Sequence, residues 1–229
     1  MKALILSAGK GTRLKEITEE IPKVMVDVAG KPCLRYNIEL LKKFGIKEIA
    51  INTHHFPEKI KEYFGDKNKF GVKIKYSYEP ELLGTSGSLN NFRDFFNETF
   101  VVIYGDVIHE TNLGKMIEFH KKEKAFATIA LDNRSQVGRG AVILEGKKII
   151  DFKEKPQQEI PGGLVNSGIY ILEPEVLSYI PEGISDFGLD IFPKLLKEKK
   201  KLVGFKTGKV LDIGTPEVLE KARKLFGQK

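Results

Sequence analysis

The first half of the chain alternates short apolar runs with amphipathic stretches, and the second half changes character. Residues 2–7, Lys-Ala-Leu-Ile-Leu-Ser, carry a continuous apolar run, which predicts a strand buried on both faces, as in a parallel sheet. After Pro32, a favoured first helical residue, apolar positions recur at Leu34, Ile38, Leu41 and Phe44 until Gly45 stops them, which is helical spacing. Residues 48–52 return to strand. The alternation continues with helices over 58–64, 86–96 and 113–123 and strands over 72–78 and 100–104, predicting a parallel sheet covered on both sides.

From Ala125 the pattern is strand-rich, with runs at 126–131, 141–144, 149–152 and 165–172 and a hairpin turn at Glu145-Gly146. Helices return at 175–179, 189–198 and 216–226, with a strand over 202–205. No internal repeat, low-complexity tract or Pro/Ser-rich linker divides the 229 residues. The expectation is therefore one α/β domain, residues 1–229: a mostly parallel, Rossmann-like doubly wound mixed sheet over 1–124, continued over 125–229 with a small β-rich lobe.

Composition narrows the function classes. Hydrophobic residues at 41% suffice for a core, and no run is long or apolar enough for a membrane span or a signal peptide, so a cytoplasmic protein without membrane partners is expected. The net charge of +7 suggests nucleic acid at first sight, but Lys and Glu interleave along the helical stretches, and the densest basic run, 197–201, contains Glu198 and no aromatic for base stacking. Nucleic acid is therefore not the expected partner, and a small anionic substrate explains the surplus equally well. Cys33, the single cysteine, has no disulfide partner, and His54, His55, His109 and His120 lack ligand-like spacing.

In open α/β sheets ligands bind beyond the carboxyl ends of strands. After the first strand comes Ser7-Ala-Gly-Lys-Gly-Thr-Arg-Leu14, whose glycines allow close backbone approach to a phosphate and whose Lys10 and Arg13 add positive charge. A dinucleotide fingerprint is excluded because Leu14 stands where its third glycine belongs, and a Walker A loop lacks its leading glycine.

Gly9-Lys-Gly-Thr-Arg-Leu14, Pro22-Lys23, Gly30-Lys-Pro32, Leu83-Gly-Thr-Ser-Gly87, Gly105-Asp106, Glu154-Lys-Pro156, Asn166-Ser-Gly168 and Asp212-Ile-Gly-Thr-Pro216 arrive in this order along nearly the whole chain. Together they resemble the sugar-1-phosphate nucleotidyltransferase family, closest in look to mannose-1-phosphate guanylyltransferases. The resemblance implies transfer of a nucleotidyl group from a nucleoside triphosphate to a sugar 1-phosphate, with Mg²⁺ held by Asp106 and Asp212 and Arg13, Lys23 and Asp106 as the catalytic groups. It also implies nucleotide binding at Leu6, Ala8, Gly9, Gly11, Thr12, Glu79, Gly84 and Thr85, sugar-phosphate binding at Gly140, Glu154, Lys155 and Asn166, and a homodimer or tetramer as an ordinary state. Alternatives open at this stage are other sugars and bases, or a non-catalytic nucleotide-sugar-binding subunit. Arg139 departs from the resembled pattern, where a Tyr commonly precedes the sugar-site glycine.

Overall fold

The computed structural model describes residues 1–65 and 69–227. In chain order its strands and α-helices are β1 (Ala3–Leu6), β2 (Asp27–Val28), β3 (Lys31–Pro32), α1 (Cys33–Lys43), β4 (Glu48–Thr53), α2 (Pro57–Phe64), β5 (Lys73–Tyr78), α3 (Gly84–Gly87), β6 (Phe100–Tyr104), β7 (Val107–His109), α4 (Leu113–Glu123), β8 (Ala127–Asp132), β9 (Gly140–Glu145), β10 (Lys148–Glu154), β11 (Leu164–Leu172), α5 (Phe192–Lys197), β12 (Leu202–Lys206), β13 (Val210–Asp212) and α6 (Pro216–Gly227). The chain groups into two compact units, each assembled from discontinuous segments: Met1–Leu82, Ile103–Glu110 and Val210–Lys229 in the first, Leu83–Val102 and Thr111–Lys209 in the second.

In the first unit β1 pairs parallel with β4 and β4 with β5, as the apolar runs predict. Helix α1 buries Cys33, Leu34, Asn37, Ile38 and Leu41, one stripe of the expected periodicity with Asn37 set into it. The short strands β7 and β13 pair antiparallel, Asp212 opposite Val107, over a core that includes Leu14, Val26, Cys33, Ile108, Leu211, Ile213 and Leu219. Sequence patterning did not announce β2, β3, β7 and β13; two or three residues are too few for any period to register.

In the second unit the strand-rich pattern builds more than an appended lobe. β8 pairs with β11 and β12, β10 with β12 and β9, and β9 again with β11, so five strands close on themselves. Among these five strands the β12–β8 pairing is parallel and the other four pairings are antiparallel, so the sheet is mixed, as expected. A cluster of Tyr170, Phe187 and Phe192, with ring centroids 5.0–5.4 Å apart, fills part of this core. Residues 86–96 do not form one α-helix: α3 gives way to a 3₁₀ segment, Ser88–Phe95, that kinks at Phe92. The helix expected from 189 instead begins as a π turn, Phe187–Ile191. None of the described helices is long and apolar enough to cross a membrane.

Candidate active site

The glycine-rich loop leaves β1 under tight control. Ser7 N donates to Asn52 Oδ1 at 2.8 Å, and Asn52 Nδ2 donates to Glu79 Oε1 at 2.9 Å, so side chains at the ends of β4 and β5 fix the start of the loop. Ala8 and Glu79 are buried, Leu6 is half-buried, and Gly9, Thr12 and Arg13 are exposed. Gly11 has φ +68°, and its carbonyl accepts from Leu14 N at 3.0 Å and Thr18 Oγ1 at 3.1 Å. A Cβ on Gly11 would stand 2.9 Å from Lys23 Cβ, so the residue answers both a left-handed turn and a close approach.

Lys23 follows Pro22 into a short 3₁₀ turn and is buried, its ammonium clasped by Asp106 Oδ2 and 3.6 Å from Asp212 Oδ1. Burial alone pulls an ammonium toward neutrality, and Arg13 opposes its charge too; Asp106 and Asp212 outweigh both, leaving the Lys23 pKa above its ordinary value. Asp106 reaches this place because it precedes β7, whose partner β13 ends at Asp212, and because Ile213 N donates to the Asp106 carbonyl at 3.2 Å. Asn37, from α1, donates through Nδ2 to the Gly105 carbonyl at 3.1 Å and so holds the residue before Asp106.

Gly214 marks where these groups meet. A Cβ there would lie 2.7 Å from Arg13 Nη2, 2.9 Å from Asp212 Oδ1 and 3.0 Å from Lys23 Nζ. Two cations and one carboxylate thus border one spot, and the second carboxylate, Asp106, is paired with the Lys23 ammonium. Among the described residues no cluster of three or more His, Cys, Asp or Glu side chains forms a metal cage. The donor set nevertheless suits Mg²⁺, which binds through one or two carboxylates and completes its octahedron with water and substrate phosphates.

In the second unit, Gly140, Glu154 and Asn166 lie together. Gly140 pairs with Glu154 across β9–β10, and a Cβ on it would stand 3.0 Å from Phe152 Cζ, 3.1 Å from Glu154 Oε2 and 3.2 Å from Asn166 Cβ. The β10–β9 register shift lies at Ile149/Asp151, so Gly140 serves close approach rather than a bulge. Burial raises the Glu154 pKa, Lys155 lowers it and Asp186 raises it, for a net rise. Lys155 is exposed and sits at φ +49°, in left-handed backbone that a lysine occupies at a cost. Asn166 donates to Tyr170 Oη at 2.7 Å and accepts from Gly168 N at 3.0 Å. Arg139 folds back on its own loop, Nη1 donating to the Ser135 carbonyl at 3.1 Å.

The family model described as "Nucleotidyl transferase" matches residues 2–229. The chain belongs to this nucleotidyl transferase family. It is 41% identical over 214 residues to a UTP–glucose-1-phosphate uridylyltransferase of Synechocystis sp., an alignment covering 86% of the chain and 55% of that relative. It is 35% identical over 229 residues to the D-glycero-α-D-manno-heptose 1-phosphate guanylyltransferase of Aneurinibacillus thermoaerophilus, covering 98% of the chain and 97% of the relative. A mannose-1-phosphate guanylyltransferase of Arabidopsis thaliana also matches at 36% identity, the chain spanning 62% of its length. Among solved structures, HddC from Yersinia pseudotuberculosis complexed with GMP-PN superposes with a TM-score of 0.83 at 30% identity, over 98% of this chain and 99% of that one.

In this member of the family the expected residues divide by unit. Leu6, Ala8, Gly9, Gly11, Thr12, Arg13, Lys23, Glu79, Asp106 and Asp212 lie in the first; Gly84, Thr85, Gly140, Glu154, Lys155 and Asn166 lie in the second. Sequence reasoning passed over Asn37, Asn52, Gly214 and Asp186. Asn52 stands at the end of a predicted strand and Gly214 inside a quoted motif, so both were within reach; Asn37 was masked by its place in an apolar helical stripe.

Proposed function

We propose that the protein transfers a nucleotidyl group from a nucleoside triphosphate to a sugar 1-phosphate, giving a nucleoside diphosphate sugar and pyrophosphate. One observation carries the reading: Arg13 and Lys23 approach Asp212 at Gly214, and Asp106 pairs with the same Lys23 ammonium. Nucleotidyl transfer needs little covalent chemistry from the protein and much positioned charge, because negative charge spreads over phosphate oxygens in the transition state. Arg13 and Lys23 meet the triphosphate, the backbone of the Gly9–Gly11 turn lies against its phosphates, and Lys155 holds the sugar phosphate. An oxygen of the sugar phosphate then forms a bond to the α-phosphorus as the α–β bridging bond breaks, and pyrophosphate leaves with that electron pair. Asp106 and Asp212 would hold Mg²⁺, which when bound screens the phosphate oxygens and orients them.

For substrates the reading is GTP with mannose 1-phosphate or another manno-configured sugar 1-phosphate. Its support is the guanylyltransferase named for a manno-heptose, which matches this chain end to end. UTP with glucose 1-phosphate is the second reading, favoured by the 41% identical uridylyltransferase. Pyrophosphate release with Mg²⁺, measured for each nucleoside triphosphate against mannose, manno-heptose, glucose and N-acetylglucosamine 1-phosphates, tests both. Turnover confined to GTP and manno sugars supports the first, turnover with UTP and glucose the second, and tight nucleotide binding without pyrophosphate release a binding subunit.

A further inference from the structure

The segment from Gly183 to Asp190 does more in the second unit than connect elements. Ser185 and Asp186 grip the Gly84–Gly87 turn almost atom by atom. Ser86 N and Gly87 N both donate to the Ser185 carbonyl at 3.0 Å, Ser185 N donates to the Leu83 carbonyl at 2.9 Å, and the Ser86 and Ser185 hydroxyls bond at 2.8 Å. Asp186 Oδ1 accepts from Thr85 N at 3.0 Å and from Thr85 Oγ1 at 2.8 Å, while Phe187 N donates to the same hydroxyl oxygen at 2.9 Å. Gly84, at φ +76°, is required here because a Cβ would overlap the Ser185 carbonyl.

Two residues further on, the same segment touches Glu154. A Cβ on Gly188 would run into Glu154 Oε2, so this turn forms a wall of the glutamate's surroundings. Asp186 is itself braced: its N donates to Asp190 Oδ2 at 2.7 Å, and its carbonyl accepts from Asp190 N at 2.9 Å and Ile191 N at 3.2 Å. One rigid turn therefore carries the carboxylate that holds Thr85 and the glycine against which Glu154 packs.

We propose that Asp186 is a positioning residue that ties the Gly84–Thr85 turn to the Glu154 carboxylate, so that binding at either is ordered by the same side chain. The inference rests on the proposed reaction, in which Gly84 and Thr85 serve the nucleotide and Glu154 the sugar. Its electrostatic arm is explicit: the charged groups acting on Glu154 are Lys155, the next residue in the chain, and Asp186 on the 183–191 segment, and the latter disfavours ionisation of Glu154. Gly140 on β9 and Asn166 on β11 add no charge.

Two variants separate the arms. Asp186→Asn keeps an oxygen acceptor for Thr85 but removes the charge beside Glu154; Asp186→Ala removes both. With a substrate pair that the unaltered protein turns over, Asp186→Ala should raise the nucleotide KM about tenfold, the size expected for lost hydrogen bonds to a charged group. Asp186→Asn should hold that KM within about threefold. It should also move the acid limb of kcat/KM for the sugar phosphate to lower pH, because Glu154 then ionises more readily. An unchanged nucleotide KM in Asp186→Ala, or an unmoved acid limb in Asp186→Asn, overturns the positioning role. Should Asp186→Ala fail to fold, the acid limb of Asp186→Asn still decides. No turnover by the unaltered protein with any pair overturns the reaction itself, and this role with it.

Discussion

The Lys23 ammonium is clasped by Asp106 and lies 3.6 Å from Asp212 Oδ1, so one buried cation is shared by two carboxylates. The two carboxylates are 29% and 26% exposed, open enough to take a ligand from solution. Replacing Asp106 by Asn keeps its shape and removes its charge. On the proposed reading, turnover should fall by about a thousandfold or more, because the carboxylate proposed to hold Mg²⁺ and the partner of Lys23 are lost together. Circular dichroism should remain native. Near-normal pyrophosphate release by Asp106→Asn would show that the carboxylate has another task.

Gly214 offers a sharper test of the geometry, since its substitution changes no charge. The methyl group of Gly214→Ala would fall 2.7–3.0 Å from Arg13 Nη2, Asp212 Oδ1 and Lys23 Nζ, all ends of side chains that can swing away. The fold should tolerate that adjustment, with a melting temperature within a few degrees of the unaltered protein, about the shift that 1 kcal/mol gives at this size. Catalysis should not, because misplacement by an ångström costs on the order of a hundredfold. Parallel thermal melts and steady-state rates decide it: a large loss of stability with proportionate activity would place Gly214 in the fold rather than in the site.

What was legible in the sequence follows from which signals are periodic. The buried strand β1, helix α1 and the β4 and β5 strands stand out because a run or stripe of four to eleven residues is long enough to show its pattern. Strands β7 and β13 do not, yet they are what brings Asp106 and Asp212 side by side across 106 positions of sequence. Closure of β9 onto β11 is likewise a pairing between distant segments, invisible to local pattern. The Gly-rich turn after β1 was legible from composition and position, whereas the Ser7–Asn52–Glu79 chain that fixes it depends on three strand ends meeting.

Glu154 predicts a pH effect on stability. Its folded-state pKa is raised, by burial first and by Asp186 further, against the opposing pull of Lys155. A carboxyl raised on folding binds more protons in the folded than in the unfolded state, so its contribution to stability declines as pH rises past the ordinary carboxylate range. Glu154→Gln removes that term. The melting temperature of Glu154→Gln should therefore gain on the unaltered protein as pH rises from about 4, near which the unperturbed glutamate titrates. A difference that stays constant over this range, measured by calorimetry in matched buffers, would mean the carboxyl is ionised in the folded protein as easily as in the unfolded one.

Lys155 sits at φ +49°, where its Cβ crowds the backbone, and β10 ends there as Lys155 N donates to the Arg139 carbonyl at 2.9 Å. Strain of this kind persists where a site requires the side chain. Replacing Lys155 by Gly and by Ala removes the same charge, but only glycine relaxes the left-handed backbone. Lys155→Gly should be more stable than Lys155→Ala by about 1 kcal/mol, the usual cost of a Cβ in this region. Both should raise the KM for the sugar phosphate while leaving that for the nucleotide within about twofold, as expected when one charge-assisted contact to a single substrate is lost. Equal stabilities would show the backbone to be unstrained, and an unchanged sugar-phosphate KM in both variants would remove Lys155 from the site.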